Sequence, residues 1–185
     1  MNILIVDDSP DQQLLLKTIL SKAGHQDLLI ADSATAAYAQ LGIDQPQSNP
    51  HAVDLILMDF LMPGIDGVVA TRHIKNLDAL RDIPIIVVTA KTALGDLQAA
   101  FSAGAMDFIT KPVTSTELLA RVNSALMLKQ EMDCRKAREV ELRRSNDELQ
   151  RALRAVKVLK GLVPICASCK KIRNDRDYWE QIEAY

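Results

Sequence analysis

Four short apolar runs along the chain each end in polar side chains. The runs lie at residues 3–6, 53–58, 85–88 and 108–109. The polar residues at their ends are Asp7, Asp8, Asp59, Thr89, Thr110 and Lys111. Continuous apolar runs of this length are typical of strands that are buried on both faces, and such strands belong to parallel sheets. The pattern therefore predicts a parallel sheet with functional groups at the carboxyl ends of its strands.

Strand and helix patterns alternate through the first part of the chain. We predict strands near residues 2–7, 27–31, 53–58, 84–88 and 106–109, and helices near 10–23, 33–42, 66–77, 94–103 and from 114 onward. This alternation predicts an α/β fold with a doubly wound, five-stranded parallel sheet.

The ligand site of an open parallel sheet lies beyond the carboxyl ends of its strands. Asp7, Asp8 and Asp59 should therefore meet there with Thr89 and Lys111. Three adjacent carboxylates favour a hard cation such as Mg²⁺, which takes oxygen ligands. A carboxylate can also act as a nucleophile and accept a phosphoryl group. Mg²⁺ and the lysine would neutralise the charge of that group, and the threonine hydroxyl would donate a hydrogen bond to it.

Composition excludes several classes of protein. The chain has 185 residues, of which 48% are hydrophobic and 25% charged, as in ordinary globular proteins. It contains no apolar stretch near 18 residues and no N-terminal signal pattern, so we expect a cytoplasmic protein with no membrane partner. Residues 1–128 carry a net charge of −6 and residues 129–185 a net charge of +4. That basic excess is small and mixed with acids, so it does not predict nucleic-acid binding.

Five motifs in order resemble the receiver domain of bacterial two-component response regulators. They span residues 5–10, 58–67, 88–90, 104–108 and 110–112, and the resemblance covers residues 1 to about 128. It implies a flavodoxin-like sheet with strand order 2-1-3-4-5. It also implies a phosphoacceptor signalling protein rather than an enzyme, with a histidine kinase or phosphotransfer protein as its partner.

The resemblance also implies a role for each site residue. Asp59 matches the phosphoacceptor, and Asp7 and Asp8 match the acids that bind Mg²⁺ together with it. Further matches are the backbone carbonyl of Leu61 to the remaining metal ligand, Thr89 and Phe108 to the switch residues, and Lys111 to the phosphate-contacting lysine. The peptide bond between Lys111 and Pro112 matches one that is cis in the family.

Simpler structural roles compete with these assignments. Asp7 and Asp8 precede Ser9–Pro10 and could serve only to start a helix, because Asp and Ser cap helices and Pro suits their first turn. Thr89 could cap the next helix, and Phe108 belongs to the core whether or not it switches.

The helix that starts near residue 114 shows no break before Gly161. A helix of this length without Pro or Gly suggests a coiled coil. The heptad a positions are Leu118, Ala125, Met132, Glu139, Asn146, Leu153 and Lys160, and the d positions are Arg121, Leu128, Arg135, Leu142, Leu149, Val156 and Val163. An Asn at an a position favours a parallel two-stranded coil, so we predict a homodimer through residues 129–161. The alternative roles of this coil are a static stalk and a part that changes its packing with the signal.

Residues 162–185 form a tail with the pair Cys166 and Cys169. A Cys-x-x-Cys pair is half of a four-ligand zinc site, or alternatively a redox dithiol. The tail resembles a small module found after receiver coils, which normally continues further, so either the chain is truncated or two protomers combine their pairs. Tyr178, Ile182 and Tyr185, with Trp179 beside them, are spaced as the apolar stripe of a helix.

Two functions of different classes follow. In the first, phosphorylation of Asp59 with Mg²⁺ sends a signal through the dimeric coil to a C-terminal output module. In the second, the chain is a metal- or redox-responsive dimer that uses the receiver as a scaffold. A nucleotide cyclase output is not indicated, because nothing in residues 161–185 resembles the start of a cyclase. A DNA-binding output is not indicated either, because no helix-turn-helix pattern follows residue 128.

Overall fold

The computed structural model describes residues 1–43, 52–90, 93–160, 166, 168–173 and 179–180. The chain divides into two compact units, Met1–Asp133 and Cys134–Tyr185. The second half of the long helix and the cysteine pair belong to the second unit.

The first unit contains a five-stranded parallel sheet. Its strands are β1 (Ile3–Val6), β2 (Leu28–Ala31), β3 (Leu55–Asp59), β4 (Ile85–Thr89) and β5 (Asp107–Thr110), in the order β2-β1-β3-β4-β5. The helices are α1 (Pro10–Lys22), α2 (Ala34–Gln40), α3 (Gly67–Lys75), α4 (Leu94–Ser102) and α5 (Ser115–Lys160). The predicted fold class and strand order are confirmed, and each predicted element begins and ends within a few residues of the observed one.

Alternation along the buried strands distributes the core between the two faces of the sheet. Leu4 and Val6 of β1 pack on one side, in a cluster with Tyr38 of α2 and Ile74 of α3. Ile3 and Ile5 pack on the other side, in a cluster that contains residues of α1 and α5. Since all five residues of β3 and all five of β4 are buried, neither strand shows the polar alternation of a half-exposed sheet.

Side-chain caps fix the starts of two helices. The Asp66 carboxylate accepts a hydrogen bond from the backbone N–H of Val69 at 2.7 Å at the start of α3, and the Ser33 hydroxyl accepts one from Ala36 at 3.2 Å at the start of α2. These bonds satisfy amide groups that have no partner within the helix. Helix α3 begins close to the carboxyl end of β3, where the backbone N–H of Gly67 donates to the carbonyl oxygen of Phe60.

The long helix α5 has two different environments. Leu118 and Ala125, at a positions of the predicted heptads, are buried in the core of the first unit. The dimeric coil is predicted only from residue 129 onward, and these two a positions before it pack on the receiver's own sheet. Farther along, Leu142, Leu149 and Leu153 are exposed.

In the second unit, strands β6 (Ile172–Arg173) and β7 (Trp179–Glu180) pair antiparallel, with Arg173 opposite Trp179. The helical spacing proposed for the end of the tail is wrong at Trp179, because its backbone is extended to pair with β6. Tyr178, Ile182 and Tyr185 lie outside the described residues, as do residues 161–165, where we expected the coil to end.

No helix in the described part of the chain combines the length and apolar character needed to cross a membrane.

Candidate functional site

The carboxyl edge of the sheet brings together the side chains that the sequence predicted would meet. Asp7 directly follows β1, Asp59 ends β3, Thr89 ends β4, and Lys111 directly follows β5. The strand register aligns these ends, since Asp59 lies beside Val88 and Thr89 lies beside Thr110. Parallel pairing alone therefore places residues from four distant parts of the sequence at one edge.

Three carboxylates form a single cluster at this edge. One oxygen from each of Asp7, Asp8 and Asp59 lies within 4.8 Å of the other two. Asp7 and Asp59 are buried, whereas Asp8 is exposed. A backbone hydrogen bond fixes Asp7, because the N–H of Ser9 donates to its Oδ1 at 2.9 Å. A role for Asp7 and Asp8 only in starting a helix does not account for this arrangement, because their side chains converge with a third acid.

Lys111 provides the positive charge of the cluster. Its Nζ lies 2.6 Å from Asp59 Oδ1 and 3.1 Å from Asp7 Oδ2. Its backbone N–H donates to the carbonyl oxygen of Thr89 at 2.7 Å, which ties the loop after β5 to the end of β4. The bond between Lys111 and Pro112 is cis, as the resemblance predicted.

Burial and like charges shape the titration of this cluster. Burial raises the pKa of Asp59 above 3.8, and the charges of Asp7 and Asp8 act in the same direction, whereas the hydrogen bond and charge of Lys111 oppose it. Burial alone would lower the pKa of Lys111, but the hydrogen bonds and charges of Asp59 and Asp7 raise it above 10.5. The lysine thus remains charged, while ionised Asp59 lacks sufficient compensation from the protein alone.

The cluster fits a small hard cation. Opposite oxygen ligands of an octahedral Mg²⁺ stand about 4.2 Å apart and adjacent ones about 3 Å, so carboxylate oxygens within 4.8 Å need little adjustment to share one ion. The added positive charge would also relieve the repulsion among the acids. Leu61, whose carbonyl we predicted as a further ligand, lies two residues beyond β3 with an exposed side chain.

A glycine contact that the sequence did not predict supports the site. The backbone N–H of Gly67 donates to the carbonyl oxygen of Phe60 at 3.0 Å. A Cβ atom at Gly67 would overlap the backbone carbonyl oxygen of Asp59 and lie 2.9 Å from its carbonyl carbon. Only a glycine lets the first turn of α3 approach the Asp59 backbone this closely. The motif Asp66–Gly67 was visible in the sequence, but its contact partner was not.

The predicted switch residues occupy different depths. Thr89 is buried, with 1% of its surface exposed. Phe108 is partly buried and packs against a small cluster formed by Phe60, Val87, Ala100 and Ala105. Its ring also contacts Phe101, with the two ring centroids 5.9 Å apart and nearly perpendicular.

The cysteine pair forms a local turn in the second unit. The backbone N–H of Cys169 lies 3.5 Å from Cys166 Sγ, and hydrogen bonds from the backbone of Cys169, its thiol and the backbone of Ser168 lower the pKa of Cys166. Within the described ranges, only the aspartate cluster brings together three or more potential metal-ligand side chains. The prediction of Zn²⁺ at Cys166 and Cys169 is therefore not supported.

The fold and the acidic cluster together define an α/β receiver module of the kind used in two-component signalling. The profile of the response regulator receiver domain matches residues 3–123. The chain belongs to this family.

Individual relatives agree with this assignment. The chain is 38% identical over 124 residues to protein PilH of Pseudomonas aeruginosa, an alignment that covers 67% of this chain and 96% of PilH. It is 31% identical over 173 residues to the cyclic di-GMP phosphodiesterase response regulator RpfG of Xanthomonas campestris, covering 87% of this chain but 44% of RpfG. Among solved structures, a CheY-like response regulator receiver domain protein from Methanospirillum hungatei superimposes with a TM-score of 0.62 at 27% identity, over 71% of this chain and 97% of the other.

Proposed function

We propose that the chain is a two-component response regulator that accepts a phosphoryl group on Asp59 from a histidine kinase or phosphotransfer protein. The observation that carries this proposal is that one buried carboxylate contacts an ammonium group and lies close to two further acids. Lys111 Nζ lies 2.6 Å from Asp59 Oδ1, and one oxygen each of Asp7 and Asp8 lies within 4.8 Å of an oxygen of Asp59. A cytoplasmic location follows from this choice of partner.

The residues of the site divide the work of phosphoryl transfer. An Asp59 oxygen attacks the phosphorus of the donor's phosphohistidine, the bond from phosphorus to the imidazole nitrogen breaks, and an aspartyl phosphate forms. The Lys111 ammonium exchanges its contact with the Asp59 carboxylate for one with a phosphoryl oxygen. The Thr89 hydroxyl donates to a second phosphoryl oxygen. Positioning and charge neutralisation of this kind supply most of the catalysis in phosphoryl transfer.

Asp7, Asp8, Asp59 and the carbonyl of Leu61 would hold Mg²⁺. When bound, this ion neutralises the charge that develops on the phosphoryl oxygens. The chain itself contributes the nucleophile and takes part in its own dephosphorylation, but we do not assign it an activity on a separate substrate.

Phosphorylation acts as a switch only through contacts that differ between the two states. We assign these contacts to the phosphoryl group with Thr89 and Lys111, followed by inward movement of Phe108. The signal then leaves the receiver, residues 1–128, by helix α5 and reaches a parallel dimeric coil at residues 129–161. The continuous helix Ser115–Lys160 and the exposed residues Leu142, Leu149 and Leu153 support this route. The tail at 162–185 would then belong to the output module.

The proposal is tested by labelling the full chain with a small acyl phosphate and measuring its intact mass. We expect one phosphoryl group per chain in the presence of Mg²⁺ and none after chelation or in Asp59→Asn. Asp54→Asn is the matched control, since Asp54 lies just before the same strand and its carboxylate accepts a hydrogen bond from the backbone of Asn2 at 2.8 Å. Labelling of Asp59→Asn at the level of the control would refute the assignment.

A redox-responsive dimer is a second candidate, and the N–H contact from Cys169 to the thiol of Cys166 favours it. In that case thiol oxidation, and not phosphorylation, would change the oligomeric state of the chain.

A further inference from the structure

The ring of Phe108 lies between two side chains that the receiver's phosphoryl chemistry does not use. Phe101 of α4 meets it edge-on, with centroids 5.9 Å apart. The guanidinium carbon of Arg121, from α5, lies 5.7 Å from the centroid of the Phe108 ring. Both distances fall within the range of favourable aromatic and cation–π contacts. The ring is thus contacted by a helix on each side of β5.

Two carboxylates fix the guanidinium of Arg121. Its Nη1 lies 2.5 Å from Asp107 Oδ2, and its Nε donates to Glu117 Oε1 at 3.0 Å. The planar guanidinium is therefore held at two points, which sets the orientation of its face. About a third of the Arg121 side chain is exposed, so the contact lies at the protein surface.

Asp107 connects this ion pair to the backbone of the switch residue itself. While its Oδ2 contacts Arg121, its Oδ1 accepts a hydrogen bond from the backbone N–H of Phe108 at 2.8 Å. One carboxylate thus holds both the cation above the ring and the main chain that carries the ring. An ion pair that only joined α5 to β5 would not need the guanidinium to lie within reach of the aromatic ring.

We propose that Arg121 is a positioning residue that holds the Phe108 ring in its half-buried place and so opposes the switch. This inference rests on the proposed function, in which the ring moves inward when Asp59 is phosphorylated. Inward movement separates the ring from Arg121 and from Phe101. Arg121 therefore stabilises the unphosphorylated state selectively, and its removal should shift the population toward the inward state.

The expected size of the effect follows from the exposed position of the contact. Loss of a cation–π contact at an exposed site changes a two-state equilibrium by about two- to fivefold. Because binding of a phosphoryl mimic selects the inward state, the apparent affinity for that mimic should rise in proportion to the fraction of that state, which is at most about fivefold. A merely structural ion pair predicts the opposite, since its loss would loosen the site.

The experiment uses the full chain labelled with fluorophenylalanine. The sequence contains three phenylalanines, so three fluorine signals are expected, and a Phe101→Leu variant helps to assign them. In Arg121→Gln we expect the Phe108 signal of the free protein to show a smaller solvent-isotope shift, which reports a more buried ring. We also expect beryllofluoride, with Mg²⁺, to bind more tightly, by up to about fivefold. Glu117→Gln loosens Arg121 without removing it. It should change the solvent-isotope shift and the beryllofluoride affinity in the same direction as Arg121→Gln, but to a smaller extent.

Arg143→Gln is the matched control. Arg143 pairs with Glu139 four residues earlier on the same helix, as Arg121 pairs with Glu117, but it belongs to the second unit. An unchanged Phe108 signal in Arg121→Gln, or an equal change in Arg143→Gln, would overturn the role of Arg121. The proposed function would fail in a different way, since the wild-type protein would then bind no beryllofluoride. The solvent-isotope shift of Phe108 in the free protein would still test the role of Arg121.

Discussion

Replacing the buried nucleophile with its neutral isostere should stabilise the fold when no divalent cation is bound. In Asp59→Asn the side chain keeps its shape and can still accept a hydrogen bond from Lys111. Lys111 also retains its contact with Asp7 at 3.1 Å. The substitution therefore removes one negative charge from the cluster and leaves the geometry of the edge intact.

The distances give the size of the effect. With an effective dielectric constant of about 20, the Asp59–Lys111 pair at 2.6 Å contributes an attraction of about 6 kcal/mol. Repulsion from Asp7 and Asp8, with one oxygen each within 4.8 Å, amounts to at least about 3.5 kcal/mol each, or at least about 7 kcal/mol together. Because these contributions nearly cancel, the cost of burying the charge decides the sign. Asp59 is only 5% exposed, and we expect Asp59→Asn to raise the free energy of unfolding by about 1–3 kcal/mol.

The pH dependence follows from the direction of the pKa shift. Since burial raises the pKa of Asp59 in the folded protein above 3.8, the folded state holds a proton at pH values where the unfolded chain has released it. The wild type therefore loses stability as the pH rises through the folded-state pKa, whereas Asp59→Asn does not. The advantage of the variant should be largest near neutral pH and should decline as the pH falls toward 3.8.

The assay is thermal and urea unfolding of both proteins in a chelator and then in increasing Mg²⁺. The melting temperature of the variant in chelator should exceed that of the wild type by about 2–4 °C for each kcal/mol. Mg²⁺ should raise the stability of the wild type and reduce or reverse the difference. Asp78→Asn is the control, since its exposed pair with Arg81 should contribute less than about 1 kcal/mol and should not respond to Mg²⁺. A variant that is less stable than the wild type in chelator would show that the ion pair outweighs burial.

Two further predictions test the packing at the site and the proposed coil. Gly67→Ala should lower the free energy of unfolding by about 1–3 kcal/mol in urea denaturation, because its Cβ would overlap the Asp59 carbonyl. Gly95→Ala in α4, where a Cβ meets nothing within 4 Å, should be neutral or stabilising by up to about 1 kcal/mol. Equal effects of the two substitutions would contradict the steric reasoning. Leu149→Glu at a d position should weaken dimerisation by about 100-fold or more in analytical ultracentrifugation. Val140→Glu, at a similarly exposed residue outside the predicted seam, should leave the dimer intact. A wild-type protein that stays monomeric at all concentrations would rule out the proposed dimeric coil.

The sequence predicted the fold well because its strongest pattern is also the physical cause of the fold. Parallel strands that are buried on both faces need continuous apolar runs. Such runs form β1, β3 and β4, in which every residue is buried. The convergence of Asp7, Asp59 and Lys111 then required only that the strands be parallel. Asp8 differs from these because its exposure depends on how the loop after β1 turns.

The contacts that the sequence did not predict join a helix to a strand. The repeat of apolar positions within each element does not show which residues of two elements meet. Gly67 approaches Asp59 from the start of a helix, and Arg121 reaches Phe108 from α5 across to β5. In the predicted heptads Arg121 stands at a d position, before the start of the coil predicted at residues 129–161. Its two carboxylate partners show instead that this part of α5 is committed to the receiver. Heptad spacing cannot distinguish a helix that packs on its own sheet from one that packs on a second copy, since both bury one stripe.

This division of α5 has a consequence for how a signal would leave the receiver. Leu118, Val122 and Ala125 anchor the first part of the helix in the core, next to Ile5 and Leu57 of the central strands. A helix fixed there by fully buried side chains resists gradual bending, because close-packed cores deform little. Arg121 lies on the same stretch and contacts Phe108 directly. A change in the position of the switch ring would therefore act first on an exposed face of α5, where ion pairs can exchange at low cost. The packed face would keep the axis of the helix in place. We therefore expect the proposed signal to the coil to be a change of side-chain contacts around the surface of α5, and not a displacement of the whole helix.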